Sequence, residues 1–170
     1  GFWTILRLRF LQPKSAPASV REKAGVTLFP TAFFDILYGN GSMDTEDFND
    51  SAALIERVEN HARAVLTKER YEHSVRVAET ASRLCKKYGL DASRGYLAGI
   101  AHDMCKDMSD EKIAELASED GDAISPLEAQ KPSLLHGRAA SRMLSRDFGV
   151  RDTEILEAVA VHTFGKAGMS

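Results

Sequence analysis

The stretch that decides the fold is Tyr96-Leu97-Ala98-Gly99-Ile100-Ala101-His102-Asp103-Met104-Cys105-Lys106. Its small and apolar residues predict a buried helix that delivers the His102-Asp103 pair at its end. Neighbouring side chains on a helix point about 100° apart, because 3.6 residues make one turn. A buried ionisable pair needs partners or a metal. Taken alone, the stretch also fits a helix C-terminus with one solvated Asp.

The other histidines favour the metal interpretation. Four of the five lie in or at the end of a predicted helix, beside apolar residues: His73, His102, His136 and His162. With Asp103 they can converge from separate helices, and neutral imidazole and carboxylate suit Zn, Fe, Mn or Co. A single histidine of this kind is more often a hydrogen-bonded core residue. Four at such positions favour a shared metal site, with His61 outside the pattern.

Size and charge narrow the class of protein. A chain of 170 residues fits one domain with an attached segment and can bury a real core. With 22 basic and 25 acidic side chains and a net charge of −3, it shows no polyanion-binding surface, so we expect no nucleic-acid partner. No apolar run approaches the roughly 20 residues that span a bilayer. We interpret Cys85 and Cys105 as reduced core thiols, which fits a cytoplasmic protein.

Residues 1–42 differ from the rest of the chain. They are rich in arginine and carry no acidic residue before Glu22, as transit peptides do. The alternation over residues 5–10 also fits a short strand. Because proline and glycine interrupt the segment repeatedly, we favour a poorly ordered extension. The predicted division is an extension over 1–42 and a working domain over 43–170, with Met43 as its natural start.

The working domain is predicted to be all-α, because no strand pattern follows residue 43 and the apolar periodicity is helical from Asp50. Long helices are predicted over 51–66, 68–88, 92–104, 134–147 and 153–162. A further helix is predicted between Ser109 and Gly121, and a short one at Ser125-Pro126.

The caps and inward faces of these helices are also predicted. Asp91, Ser133 and Asp152 are expected to cap the helices that follow them. In the helix over 68–88, apolar spacing places His73 on the inner face, with Val77, Thr80/Ala81, Leu84 and Tyr88.

The residue types suggest phosphate chemistry. Two metals about 3.5–4 Å apart that share a carboxylate can activate water and clamp a phosphate. Asp103 is the candidate bridge, with the histidines as terminal ligands. Lys106, one turn beyond Asp103, can neutralise charge on a phosphoryl oxygen, the alternative being a solvated lysine. Thr163, Gly165 and Lys166 in the closing loop can line a phosphate pocket, although a Gly/Lys loop after a helix is ordinary.

Four ordered motifs carry a resemblance to a known family. Arg70-Tyr71-Glu72-His73-Ser74-Val75-Arg76-Val77-Ala78-Glu79 and residues 95–106 resemble the HD-domain metal phosphohydrolases. Leu134-Leu135-His136-Gly137 and residues 161–170 narrow it to the bacterial YqeK-type symmetrical diadenosine tetraphosphate hydrolases, which yield two ADP. The resemblance covers about residues 50–170.

The resemblance implies an HD-domain helical bundle and a small dinucleotide substrate. It implies a di-metal centre, usually described with iron, with Mn, Co or Zn as alternatives. The counterparts of five residues bind these metals in the family: His73, His102, Asp103, His136 and His162. The counterpart of Lys106 approaches the nucleotide phosphates.

One departure from the family affects these expectations. Family members continue into a helix whose Asp is another ligand, whereas this sequence ends at Ser170 and its last Asp is Asp152. We therefore expect a domain without its last helices, and nucleotide binding with severely reduced hydrolysis. Met143 and Val159 are expected to be exposed and to favour self-association, so a homodimer is among the expected states. The alternatives are another HD-type nucleotide phosphohydrolase, or a metal- and nucleotide-binding domain without turnover.

Overall fold

The computed structural model describes residues 45–165, and the side chains from residue 51 onward. In this part of the chain the backbone forms seven α-helices and one 3-10 helix. They are α1 (Thr45–Val65), α2 (Lys68–Lys87), α3 (Ala92–Ala101), α4 (Asp110–Ser118), α5 (Pro126–Gln130), the 3-10 helix (Pro132–Leu135), α6 (His136–Asp147) and α7 (Thr153–Val161). Residues 45–165 contain no strand, which confirms the predicted all-α class.

Some sequence predictions fall elsewhere in the chain. The extension over 1–42, its boundary at Met43 and the loop residue Lys166 lie outside the described residues. Among the helices that are described, none is both long and apolar enough to cross a membrane.

The predicted helix starts are largely confirmed by their caps. Four side chains accept a backbone N–H of the helix that follows: Asp91, Ser109, Ser125 and Asp152. Ser125 and Glu128 form a reciprocal capping box, with Pro126 at the first helical position. Each cap satisfies an N–H group that the helix cannot pair internally.

Three predicted boundaries were wrong. α1 begins at Thr45 rather than at residue 51, and α3 ends at Ala101 rather than at 104. His102 and Asp103 therefore lie in a turn, in which the Lys106 N–H donates to the Asp103 carbonyl at 2.8 Å. The helix predicted over 134–147 is divided: residues up to Leu135 belong to the 3-10 helix, and α6 follows. Ser133 lies inside the 3-10 helix and caps nothing, because Pro132 has already started that turn.

The predicted inner face of α2 was wrong except at Ala81, which is buried. The buried residues of α2 are Ser74, Ala78, Ala81, Ser82 and Cys85, whereas His73 and Tyr88 are exposed. The reason is the close approach of α3. A Cβ added at Gly99 would lie 2.4 Å from the Ala78 Cα. Small residues of α2 therefore face α3, whereas the hydrophobic periodicity predicted an adjacent face that carries larger residues.

α3 is the central helix, and it contacts α1, α2, α6 and α7. The largest fully buried side chains include Ile100 of α3 and Met104 of the turn that follows, together with Leu116, Leu135, Leu144 and Val159 from other helices. Met143 and Val159 are 5% and 0% exposed, so the expectation that they would be uncovered was wrong. The packing of α6 and α7 on each other and on α3 already covers them.

Candidate metal centre

The five residues predicted as metal ligands lie together. His73 comes from α2, His102 and Asp103 from the turn after α3, His136 from the start of α6, and His162 from the residue after α7. Imidazole centroids are 5.4 Å apart for His73 and His102, 5.0 Å for His102 and His162, and 4.8 Å for His136 and His162. Separate helices thus supply one cluster, with His61 packed elsewhere, against Phe148.

Three of the histidines share one local arrangement. Each follows the last residue of a helix, and its Nδ1 bonds to the carbonyl three residues earlier. The pairs are His102 with Gly99 at 2.7 Å, His136 with Ser133 at 2.8 Å, and His162 with Val159 at 2.8 Å. Because a carbonyl only accepts, Nδ1 carries the hydrogen in each ring. The bond satisfies a carbonyl that the helix end leaves unpaired, and it leaves Nε2 as the metal-binding atom.

Asp103 stands between two groups of imidazoles. Its Oδ1 lies 3.0 Å from His136 Nε2 and 3.6 Å from His162 Nε2, whereas its Oδ2 lies 3.5 Å from His102 Nε2. Two sets of ligand atoms, each within 4.8 Å of one another, share this residue. We call His73, His102 and Asp103 the first triad, and Asp103, His136 and His162 the second triad.

Burial and neighbouring side chains shift the pKa values of His102 and Asp103 in the direction that suits metal binding. Burial lowers the pKa of His102 to about 4, so the imidazole is neutral at pH 7. Burial by itself would raise the pKa of Asp103, but the close imidazoles of His136 and His162 outweigh it and hold that pKa well below its usual range.

The donor set fits a divalent metal. His102, Asp103 and His136 are each less than a tenth exposed, and imidazole nitrogen with carboxylate oxygen suits Zn, Fe, Mn or Co. His102 and His162 also follow the C-terminal ends of α3 and α7, where the helix dipole favours positive charge. The cluster can therefore hold metal, and the donor types do not select one ion.

Lys106 brings a cation to the second triad. Its Nζ lies 3.1 Å from Nδ1 and 3.4 Å from Nε2 of His136. Because the Nδ1 hydrogen already points to a carbonyl, the ammonium rests against the ring rather than bonding to Nδ1. Burial lowers the pKa of Lys106, while the Asp103 carboxylate opposes that shift. The ammonium is only partly exposed, beside the predicted metal position.

The loop after α7 borders the same cluster. The Thr163 Oγ1 lies 3.3 Å from His162 Nε2. The Gly165 N–H donates to the Val161 carbonyl at 2.7 Å, so the amide that we expected to meet a phosphate already has a partner. The φ of Gly165 is +72°, a left-handed conformation that favours glycine and turns the chain after the helix.

Two charged residues at the cluster were missed in the sequence. Arg70 Nε donates to Asp107 Oδ1 at 2.8 Å, and its NH1 lies 3.9 Å from Asp103 Oδ2. Arg70 lies three residues before His73, a spacing that places both on one side of α2 and could have indicated it. Asp107 carries no such signal, because its partner is 37 residues away in the chain and only the fold brings them together.

The chain is similar to proteins whose function is known. The symmetrical bis(5'-nucleosyl)-tetraphosphatase of Staphylococcus aureus is 34% identical over 116 residues, which cover 68% of this chain and 59% of that protein. The enzyme of the same name from Bacillus subtilis is 32% identical over 62% of this chain and 56% of its own length. The chain thus spans a little more than half the length of these relatives.

A solved structure and a family profile also match the chain. The crystal structure of a predicted HD superfamily hydrolase involved in NAD metabolism, from Clostridium acetobutylicum, matches with a TM-score of 0.63 and 31% identity, over 68% of this chain and 61% of that one. Residues 70–169 match the profile of the HD domain. Since this match runs from the first turn of α2 to beyond His162, and so contains both triads, the chain belongs to the HD domain family.

Proposed function

We propose that this protein is a metal-dependent hydrolase that cleaves diadenosine tetraphosphate symmetrically into two ADP. The observation that carries the proposal is the position of Asp103, with one oxygen toward each of two groups of imidazoles and the Lys106 ammonium alongside. The names of the Staphylococcus and Bacillus relatives support the choice of substrate.

We infer that each triad holds one metal and that Asp103 is shared by both. Iron is the first choice, and Mn, Co or Zn would suit the same donor atoms. When bound, a metal pair of this kind activates water and neutralises charge on the phosphoryl group that is attacked. The Nδ1 hydrogen bonds of His102, His136 and His162 keep each ring in the tautomer that such a site needs.

Other side chains would act on the substrate directly. Lys106 is placed to stabilise negative charge that develops on phosphoryl oxygens, and its partial burial strengthens the effect. We further propose that the loop with Thr163, Gly165 and Lys166 contacts the phosphate chain. Thr163 offers a hydroxyl beside His162, and Lys166 offers a charge, while Gly165 supplies the turn.

Product analysis tests this function. The chain is incubated with diadenosine tetraphosphate and Fe²⁺, Mn²⁺, Co²⁺ or Zn²⁺, and the nucleotides are separated by chromatography. We expect ADP alone, two per substrate consumed, and loss of the reaction in Asp103→Asn, which changes one carboxylate oxygen for an amide. His61→Ala is the matched histidine control and should behave as the wild type. ATP plus AMP in equal amounts would contradict symmetrical cleavage.

The same incubation, run also with a nucleoside monophosphate as substrate, separates the two alternatives. Nucleoside and phosphate released from a nucleoside monophosphate, with no ADP from the dinucleotide, would support another HD-type phosphohydrolase. Dinucleotide that binds tightly and is recovered unchanged would support a binding domain without turnover.

A further inference from the structure

A line of charged groups connects the first triad to the start of α2. Asp103 Oδ2 lies 3.9 Å from Arg70 NH1, and Arg70 Nε donates to Asp107 Oδ1 at 2.8 Å. The other oxygen of Asp107 accepts the Thr67 N–H at 2.9 Å. Both oxygens of Asp107 are therefore bonded to the first turn of α2 or to the residue just before it.

This link matters because His73 is the least enclosed residue of the cluster. His73 is exposed, whereas its triad partners His102 and Asp103 are 5% and 8% exposed. His73 lies one turn after Arg70 on α2, while its partners lie in the turn that also carries Asp107. Asp107 thus joins the segment that supplies His73 to the segment that supplies the other two ligands.

The charge of Asp107 has a second consequence. The Arg70 guanidinium lies close to Asp103 Oδ2, on the side of the first triad. An unpaired guanidinium there would repel a metal and compete for the carboxylate. Asp107 neutralises the charge of the Arg70 guanidinium. A hydrogen bond between two charged groups is also stronger than one between neutral groups.

We propose that Asp107 is a positioning residue for the first triad, which keeps His73 in reach of His102 and Asp103 and determines how tightly this half of the centre holds its metal. The inference rests on the proposed di-metal centre. The second triad lies on the far side of Asp103, where Oδ1 meets rings from α6 and α7, and Asp107 bonds to neither.

Metal titration without substrate tests the inference. The full 170-residue chain is freed of metal with a chelator and titrated with Co²⁺, whose absorption reports binding and whose amount is measured by elemental analysis. We expect two Co²⁺ per wild-type chain. In Asp107→Ala one site should weaken about 10–100-fold, as loss of an outer partner of a metal ligand usually does, and the other should be unchanged. Asp107→Asn keeps an acceptor without the charge and should be intermediate.

The chain offers a matched control. Asp120 forms a similar two-oxygen pair with Arg138, at 2.7 and 2.6 Å, and also accepts the Asp122 N–H rather than a group of the cluster. Asp120→Ala should therefore leave both Co²⁺ sites intact. Circular dichroism checks folding; if Asp107→Ala does not fold, Arg70→Lys makes the same comparison, because it keeps the charge and loses the fork that spans two carboxylates.

Three results would overturn the inference: two unchanged sites in Asp107→Ala, equal weakening of both sites, or fewer than two Co²⁺ in the wild type. Failure of the proposed function is a separate result, since Co²⁺ binding needs no nucleotide. A chain that shows the selective loss and yet releases no ADP would retain the inference about Asp107 and reject the hydrolase.

Discussion

At the residue scale, two properties of the candidate metal centre matter: the two triads share one side chain, and carbonyl groups hold most of the histidine rings in place. Asp103 belongs to both triads, whereas each histidine belongs to one. The rings of His102, His136 and His162 are fixed by the carbonyls three residues earlier, so their orientation does not depend on the metal. Losing Asp103 should consequently have a different effect from losing any one ring.

We expect Asp103→Ala to weaken binding at both metal positions, and His102→Ala to weaken only the first. Each loss should exceed the roughly 10–100-fold that follows removal of an outer partner, because a ligand itself is removed. Metal content after dialysis, measured by elemental analysis, checks this. His61→Ala is the control and should retain the wild-type content. Equal loss in all three variants would show that the assignment is not selective.

The pKa of His102 makes a second prediction for the metal-free protein. Its folded value of about 4 lies below the ordinary 6.5, so the unfolded chain binds a proton that the folded chain does not. The free energy of unfolding should therefore fall as the pH drops from about 6.5 to 4, by at most about 3 kcal/mol. Urea unfolding in chelator at several pH values measures it. His102→Gln should lose this part of the dependence, and parallel curves for the two proteins would contradict the prediction.

At the element scale, the contact of α2 with α3 decides where His73 and the His102-Asp103 pair stand relative to each other. Its close approach depends on glycine. A Cβ at Gly95 would lie 2.6 Å from the Cys85 Sγ, and one at Gly99 would lie 2.7 Å from the Ala78 nitrogen. Atoms of the backbone cannot move aside as the end of a long side chain can.

We expect Gly99→Ala to destabilise the fold by about 3 kcal/mol or more, because overpacking against a backbone outweighs the better helix propensity of alanine. Gly121→Ala is the comparison: nothing lies within 4 Å of its added Cβ, and only its φ of +84° opposes the change. That strain should cost about 1–2 kcal/mol. Urea unfolding measures both, and an equal or smaller loss in Gly99→Ala would contradict the packing argument.

The same contact shows what could be predicted from the sequence. Helix starts were predictable where a short polar residue caps the helix, as Asp91, Ser125 and Asp152 do, because the signal is local. The buried face of α2 was not, since hydrophobicity selected Val77 and Leu84 while the close neighbour α3 requires small side chains. Ser133 was misassigned because a serine near a helix start is typical of a cap, whereas Pro132 directly before it begins a 3-10 turn.

At the scale of the whole molecule, the candidate centre joins distant parts of the chain. The histidines were predictable because each lies in or at the end of a predicted helix, and their order resembles a known family. The charged link through Arg70 and Asp107 was not, since it depends on how the start of α2 meets the turn after α3. A metal at the cluster would tie together α2, α3, α6 and α7.

We therefore expect metal to stabilise the entire fold. An ion that binds only the folded state adds about 2.7 kcal/mol at a hundred times its Kd, which corresponds to a rise of roughly 10 °C in Tm for a domain of this size. Thermal unfolding with Co²⁺ and with chelator checks the rise. Asp103→Ala should show almost none of it, whereas His61→Ala should show all of it. An equal rise in Asp103→Ala would mean that the ion binds elsewhere.

The bonds from Nδ1 of His102, His136 and His162 to the carbonyls three residues earlier also bear on how fast an ion enters and leaves. Rings already held in the binding tautomer need no rotation or proton shift when an ion arrives, so the slow step of entry is the loss of water by the ion. Departure then requires no unfolding of a helix end. His73, whose helix is attached through Arg70 and Asp107, is the part of the ligand set whose motion can control exchange, and the first triad should exchange its ion sooner than the second.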